Sequence, residues 1–123
     1  LENRATDWDN GSTRAAVNRY EDFSHGAVNE ARLCRMAALC RKRGISLVLV
    51  ATPLRPSYRA EQNPAQTADM LRRIKRVAAR FPQTVRFLDF AADPAFTAND
   101  FYDADHLNRA GAAKLSLKVK GAI

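Results

Sequence analysis

Apolar and polar residues alternate along this chain in two rhythms. Between Gly26 and Arg43, Leu33, Met36, Ala37 and Cys40 recur at i, i+3, i+4 and i+7, the rhythm of one helix face. Arg41, Lys42 and Arg43 suit the negative end of that helix, and Gly44 suits its C-terminal stop. The stretch "ISLVLVA", Ile45 to Ala51, is then almost continuously apolar and β-branched. That pattern predicts a strand buried on both faces, ended by Pro53 and Pro56. Residues 52–64 read as a loop. A second helix is predicted over 65–80, with Leu71, Ile74, Ala78 and Phe81 on its apolar face. "TVRFLDF", Thr84 to Phe90, alternates as a second strand. A loop from Ala91 to Asp105 leads to a last helix from about Asn108, a good N-cap residue. The tail "LSLKVKGAI" also has a period of two, but its alanines and lysines favour helix.

Residues 1–25 are polar with scattered aromatics, and are expected to be an irregular segment anchored by Trp8, Tyr20 and Phe23. Asn10-Gly11 reads as a turn. The order helix, strand, helix, strand, helix predicts parallel strands with helices packed on the sheet. The 123 residues form one domain on this reading. Two strands are few for a doubly wound sheet, which usually has about five. The chain also opens with Leu1-Glu2 and not with Met. It is therefore expected to be the C-terminal part of a larger domain, or to pair with another copy.

Composition narrows the picture only a little. The net charge of +7 invites a nucleic-acid reading. The cations, however, cluster on helices (Arg35 and Arg41–Arg43; Arg72, Arg73, Lys75, Arg76 and Arg80) with no interleaved aromatics. Solvated helix faces explain them better than a stacking platform does, and no nucleic-acid partner is expected. Cys34 and Cys40 are about 9 Å apart along one helix, too far for a disulfide, and no histidine stands at metal-ligand spacing from them. No metal and no cofactor is expected. No apolar run approaches the roughly 18 to 20 residues of a membrane span, so membrane association is not visible in the sequence.

Chemistry enters at the strand ends. Ligands of open α/β sheets bind beyond the carboxyl ends of the strands. One loop there carries Arg55, Ser57 and Tyr58, which are candidates to line a groove for a sugar or phosphate. The other carries Asp100, Asp103, Asp105 and His106. A carboxylate at Asp103 can reach the imidazole three residues on, bind Nδ1–H and leave Nε2 free to take a proton. Asp103 and His106 are thus the candidate catalytic pair.

The stretch "FLDF…DFYDADHLNRAGAAKLS" resembles the C-terminal block of the SGNH (GDSL-type) hydrolases, and "GISLVLVATPLRPSY" resembles the strand and Pro-containing loop before it. The closest flavour is the group of D-alanine transfer proteins and alginate acetyltransferases. The resemblance covers roughly Gly44 to the C-terminus. It implies a three-layer αβα domain with a parallel sheet, SGNH- or flavodoxin-like, in which Asp103 and His106 are the acid and base of a Ser-His-Asp triad. It implies a serine-dependent esterase or O-acyltransferase, acting on an acyl ester or polysaccharide substrate in a bacterial cell envelope. The residues themselves leave the compartment open.

The departures are specific. None of the five serines (Ser12, Ser24, Ser46, Ser57, Ser116) follows a Gly-Asp, and no Gly-x-Asn-Asp block is present. Ser57 and the Ser24-His25 neighbours are poor substitutes. The nucleophile is therefore expected upstream of Leu1 or on another chain, and these residues alone are expected to be inactive. The alternative is a non-catalytic relative that binds a glycan or a protein partner.

Overall fold

The computed structural model describes residues 8–123. Among these residues five α-helices and two strands follow one another as α1 (Gly11–Asn18), α2 (Ser24–Lys42), β1 (Leu47–Ala51), α3 (Pro56–Glu61), α4 (Pro64–Arg80), β2 (Val85–Asp89) and α5 (Arg109–Ala122). A 3₁₀ turn spans Ala98–Asp100. The chain is a mixed α/β protein whose strands run parallel. At their starts the Leu47 N–H donates to the Thr84 carbonyl at 2.8 Å, and at their ends the Phe90 N–H donates to the Ala51 carbonyl at 2.9 Å. The residues group into two compact units.

One unit comprises Tyr20–Val50 and Asn63–Phe87. Here α2 packs on α4. Asn63 caps α4 by accepting from the Ala65 N–H at 3.0 Å, and Pro64 fills the first turn, where its missing N–H costs nothing. Helix α2 stops at Gly44, whose φ of +66° is left-handed and suits glycine best. The Ile45 N–H then reaches back to the Cys40 carbonyl at 2.9 Å. Ala37, Val77, Phe81 and Val85 form the core, with Leu33, Cys34, Ala38, Leu47 and Leu49 against it.

The α2 face differs from the predicted one. Leu33 and Ala37 point inward, but Met36 is 53% exposed, and Cys34 and Ala38 take its place. Small side chains on that line let α4 approach closely. The strand β1 is not buried on both faces either. Leu47 and Leu49 meet the core, whereas Val50 is exposed; among the described residues β1 pairs with β2 alone. Cys34 and Cys40 are free and half-buried.

Ion pairs tie the two helices together. Glu30 accepts from Arg73 at 2.9 Å and from Arg76 at 2.6 Å and 2.9 Å. Asp69 accepts from Arg73 at 2.8 Å and also pairs with Arg72. The Arg76 hydrogen bonds, aided by Arg73 and opposed by burial, bring the Glu30 carboxyl down from 4.5 to about 2. A carboxyl depressed on folding stabilises the native state fully above its unfolded value, and that contribution is lost as pH falls from about 4.5 towards 2. The thermal midpoint should therefore fall steeply over this window. Glu30→Gln should flatten that fall, and a series of melts between pH 6 and pH 2 checks it.

The other unit comprises the residues through Arg19, Ala51–Gln62 and Leu88–Ile123. Two of its helices lie where none was predicted. Helix α1 falls inside the segment expected to be irregular. Gly11 and Ala15, four apart on its buried side, let it press on α3, and a Cβ on Gly11 would stand 2.3 Å from the Ser57 carbonyl carbon. Helix α3 occupies part of the expected loop 52–64. Pro56, read as a strand breaker, sits in the first turn of α3, where its fixed φ favours helix. Ala15, Tyr58 and Ala104 form a small core with Leu54. The α5 start is as predicted: the Asn108 side chain accepts from the Gly111 N–H at 2.9 Å.

Candidate functional site

The chain leaving β2 is fixed before it reaches the aspartates. Thr97 and Asp100 form a reciprocal cap on the 3₁₀ turn. Lys114 of α5 donates to Asp100 at 2.6 Å. Burial pushes the Asp100 carboxyl up, but Lys114 and the Thr97 N–H outweigh it and hold the group below its ordinary range. Phe101 is buried and pairs with Leu107 in an isolated antiparallel bridge. The Tyr102 N–H donates to the His106 carbonyl at 2.9 Å. Residues 103–106 are thereby closed into a tight turn ahead of α5. The pair lies in this turn, just ahead of α5, and the turn brings i and i+3 together.

Inside that turn Asp103 Oδ1 accepts from the His106 N–H at 2.8 Å and the Asp105 N–H at 3.1 Å. A short aspartate bonding backbone amides two and three residues on is a common way to set a turn. The same carboxylate meets His106 Nδ1 at 2.8 Å through Oδ1 and 3.0 Å through Oδ2. Asp103 is buried, while the His106 side chain is 57% exposed. Nδ1 is engaged, and Nε2 has no hydrogen-bond partner among the described residues. An imidazole anchored on one nitrogen by a buried carboxylate and open at the other is arranged to accept and return a proton.

The second carboxylate is kept apart. Asp105 Oδ1 lies 3.4 Å from His106 Nδ1, but Arg14 of α1 takes both its oxygens, Nε on Oδ1 at 2.8 Å and a terminal nitrogen on Oδ2 at 3.0 Å. Asn18 adds a donor to Oδ2 at 3.3 Å and gives another to the Tyr58 hydroxyl at 2.9 Å. Burial pushes the Asp105 carboxyl up. The Arg14 hydrogen bonds and charge, with the neighbouring His106, pull it down further, so it lies below its ordinary range. Arg14→Gln removes the strongest opposing partner. The Asp105 titration midpoint should then rise, which carboxyl carbon NMR on the two proteins would read directly.

Oxygens of both aspartates and a ring nitrogen of His106 lie within 4.8 Å of one another, close enough to hold a cation. The geometry spends them otherwise. Both Asp105 oxygens face a guanidinium, and Asp103 faces two amides and the imidazole.

The two loops that leave the strand ends meet. The Arg55 N–H donates to the Ala104 carbonyl at 2.9 Å, and the Leu54 N–H to the Ala91 carbonyl at 3.1 Å. The three side chains proposed from that loop turn towards α1 and the residues before it. The Ser57 hydroxyl donates to Asp9 at 2.5 Å, so its hydrogen is not offered to His106. Tyr58 is buried with its hydroxyl on Asn18. The Arg55 guanidinium lies over the rings of Trp8 and Phe101, 3.7 Å from Asp9. Its Nε is buried without a hydrogen-bond partner among the described residues. No serine hydroxyl is hydrogen-bonded to His106 among those residues.

Sequence reasoning missed Asn10, Arg14 and Asn18. Asn10 accepts from the Ala104 N–H at 3.4 Å, and the other two hold Asp105. The available signal was the i, i+4 pair Arg14 and Asn18 set beside the i, i+4 pair Gly11 and Ala15.

No protein-family model matches this chain, and searches of curated proteins and of solved structures find no significant match to it.

Proposed function

We propose that Asp103 and His106 are the acid–base pair of a serine-dependent esterase or O-acyltransferase of the SGNH type, and that the attacking serine lies outside these 123 residues. The observation that carries the reading is the carboxylate–imidazole pair at 2.8 Å and 3.0 Å, with the ring exposed and Nε2 unbonded among the described residues. The "DADHLNRAG" stretch supports it by resemblance, and the parallel α/β arrangement is compatible with a three-layer αβα domain of which this is the C-terminal part.

In the proposed reaction His106 Nε2 takes the serine proton as the hydroxyl attacks the acyl carbonyl. Asp103 holds the Nδ1–H tautomer and stabilises the imidazolium. His106 then returns the proton to the leaving alcohol, and the acyl-serine passes its acyl group to water or to an acceptor hydroxyl. Arg55, which lies beside the turn and is paired there with Asp9, is the proposed contact for an acyl ester or polysaccharide.

The test is hydrolysis of p-nitrophenyl acetate by the gene product carrying these residues. Turnover should vanish in His106→Ala. A wild-type rate no higher than that of the variant would refute the reading. A second reading, a non-catalytic domain binding a glycan or a protein partner, is favoured by one observation: the Ser57 hydroxyl donates to Asp9, and among the described residues no serine hydroxyl is bonded to His106.

A further inference from the structure

Helix α2 turns one side to the core and the other outward, and the outward side has an unusual make-up. Successive residues of a helix are 100° apart, which places Val28, Arg32, Arg35, Met36, Leu39 and Lys42 within an arc of about 120°. All six are exposed, and the three apolar ones strongly so: Val28 49%, Met36 53% and Leu39 51%. The one acidic residue of α2, Glu30, lies on the opposite side, bonded to Arg73 and Arg76. The α4 cations that face α2 are thus balanced by carboxylates. Arg32, Arg35 and Lys42 have no acidic partner among the described residues.

Three aliphatic side chains gain nothing from a phosphate backbone, and no phenylalanine, tyrosine or tryptophan on the arc offers a base a ring to stack on. Protein interfaces gather apolar residues centrally and keep charges at a rim. Here cations and aliphatics interleave along the helix. That arrangement fits a lipid headgroup layer, where arginine and lysine stems lie along apolar surface while their heads reach the phosphates.

We propose that the outward face of α2 docks on an anionic lipid bilayer, with Val28, Met36 and Leu39 entering the headgroup–acyl boundary and Arg32, Arg35 and Lys42 meeting lipid phosphates. The helix lies on the surface; no helix among the described residues is long and apolar enough to cross a membrane. The inference does not rest on the proposed esterase activity.

Flotation of the chain with vesicles tests it. Vesicles of phosphatidylcholine and phosphatidylglycerol at about 2:1 should carry the protein up, pure phosphatidylcholine should not, and added salt should weaken binding. Each cation near an anionic surface is worth about fivefold in partitioning, so Arg32→Gln with Arg35→Gln should weaken binding about 25-fold. Met36→Ser with Leu39→Ser keeps the charge and should still weaken it about tenfold. Lys75→Gln with Lys120→Gln removes the same charge from exposed positions elsewhere and should change it less than about twofold. All these positions are exposed, so circular dichroism should show the fold unchanged. The proposal fails if anionic vesicles do not bind the protein. It fails equally if the Lys75/Lys120 pair matters as much as the Arg32/Arg35 pair, which would make net charge the cause. It also fails if Met36→Ser with Leu39→Ser only dissociates a dimer of the chain.

Discussion

Asp103→Asn should lower turnover by about 10⁴, the loss expected when a base is held in the wrong tautomer. The turn itself dictates how the asparagine would sit. Oδ1 of residue 103 accepts from two backbone amides, so the asparagine carbonyl stays there. Its NH₂ group then takes the place of Oδ2, 3.0 Å from His106 Nδ1. An NH₂ donates, so Nδ1 must accept, and the ring proton moves to Nε2. The base becomes a donor at the atom that should receive the serine proton. His106→Ala should cost at least as much. Its side chain is 57% exposed, so the fold should survive the change. Nitrogen-15 spectra of the two histidines would report the tautomer in Asp103→Asn without reference to any substrate. An unchanged tautomer together with full activity would contradict the mechanism.

Gly111→Ala should destabilise the protein by about 2 kcal/mol, although alanine is the better helix former by about 1 kcal/mol. A Cβ there would stand 2.1 Å from the Asp100 carbonyl oxygen. That carbonyl cannot easily yield, because it accepts from the Asn108 N–H at 2.9 Å while its side chain is held by Lys114. Gly11→Ala should be similarly costly. Its Cβ would meet Ser57 and the Tyr58 nitrogen, at 2.3 Å and 2.4 Å, and would push α1 off α3. Arg14 would then be drawn away from Asp105, so this change should raise the Asp105 midpoint as Arg14→Gln does. Gly121→Ala is the contrast. Nothing lies within 4 Å of its Cβ, and a gain of a few tenths of a kcal/mol is expected. Urea unfolding of the three variants separates these outcomes.

The parts of this chain that could be read from its residues are those where one local signal dominates. The long helices α2 and α4, both strands and the Asn108 cap follow from apolar rhythm, Gly44 and side-chain capping chemistry. The failures have local causes too. Helices α1 and α3 have eight and six residues, too short for periodicity to stand above noise. Pro56 begins a helix as readily as it ends a strand, and only tertiary packing decides which. The inward face of α2 was misjudged at Met36 because apolar residues lie on both sides of that helix, and its small residues are the ones that pack.

The site divides in the same way. Asp103 and His106 were legible because turn geometry couples residues three apart. Arg14 and Asn18 were not, because they come to Asp105 from some ninety positions away, on a helix the pattern did not reveal. What those two residues provide is also invisible to spacing. They hold the second carboxylate 3.4 Å from the imidazole nitrogen, and leave Asp103 as its closer partner.

The most direct measurement is covalent labelling of the gene product that carries these residues with a fluorophosphonate probe, followed by mass spectrometry to locate the modified side chain. The account predicts one labelled serine, outside the 123 residues described by this sequence, and loss of the label in His106→Ala and Asp103→Asn. No labelled serine, or a label that forms equally well without His106, would contradict it.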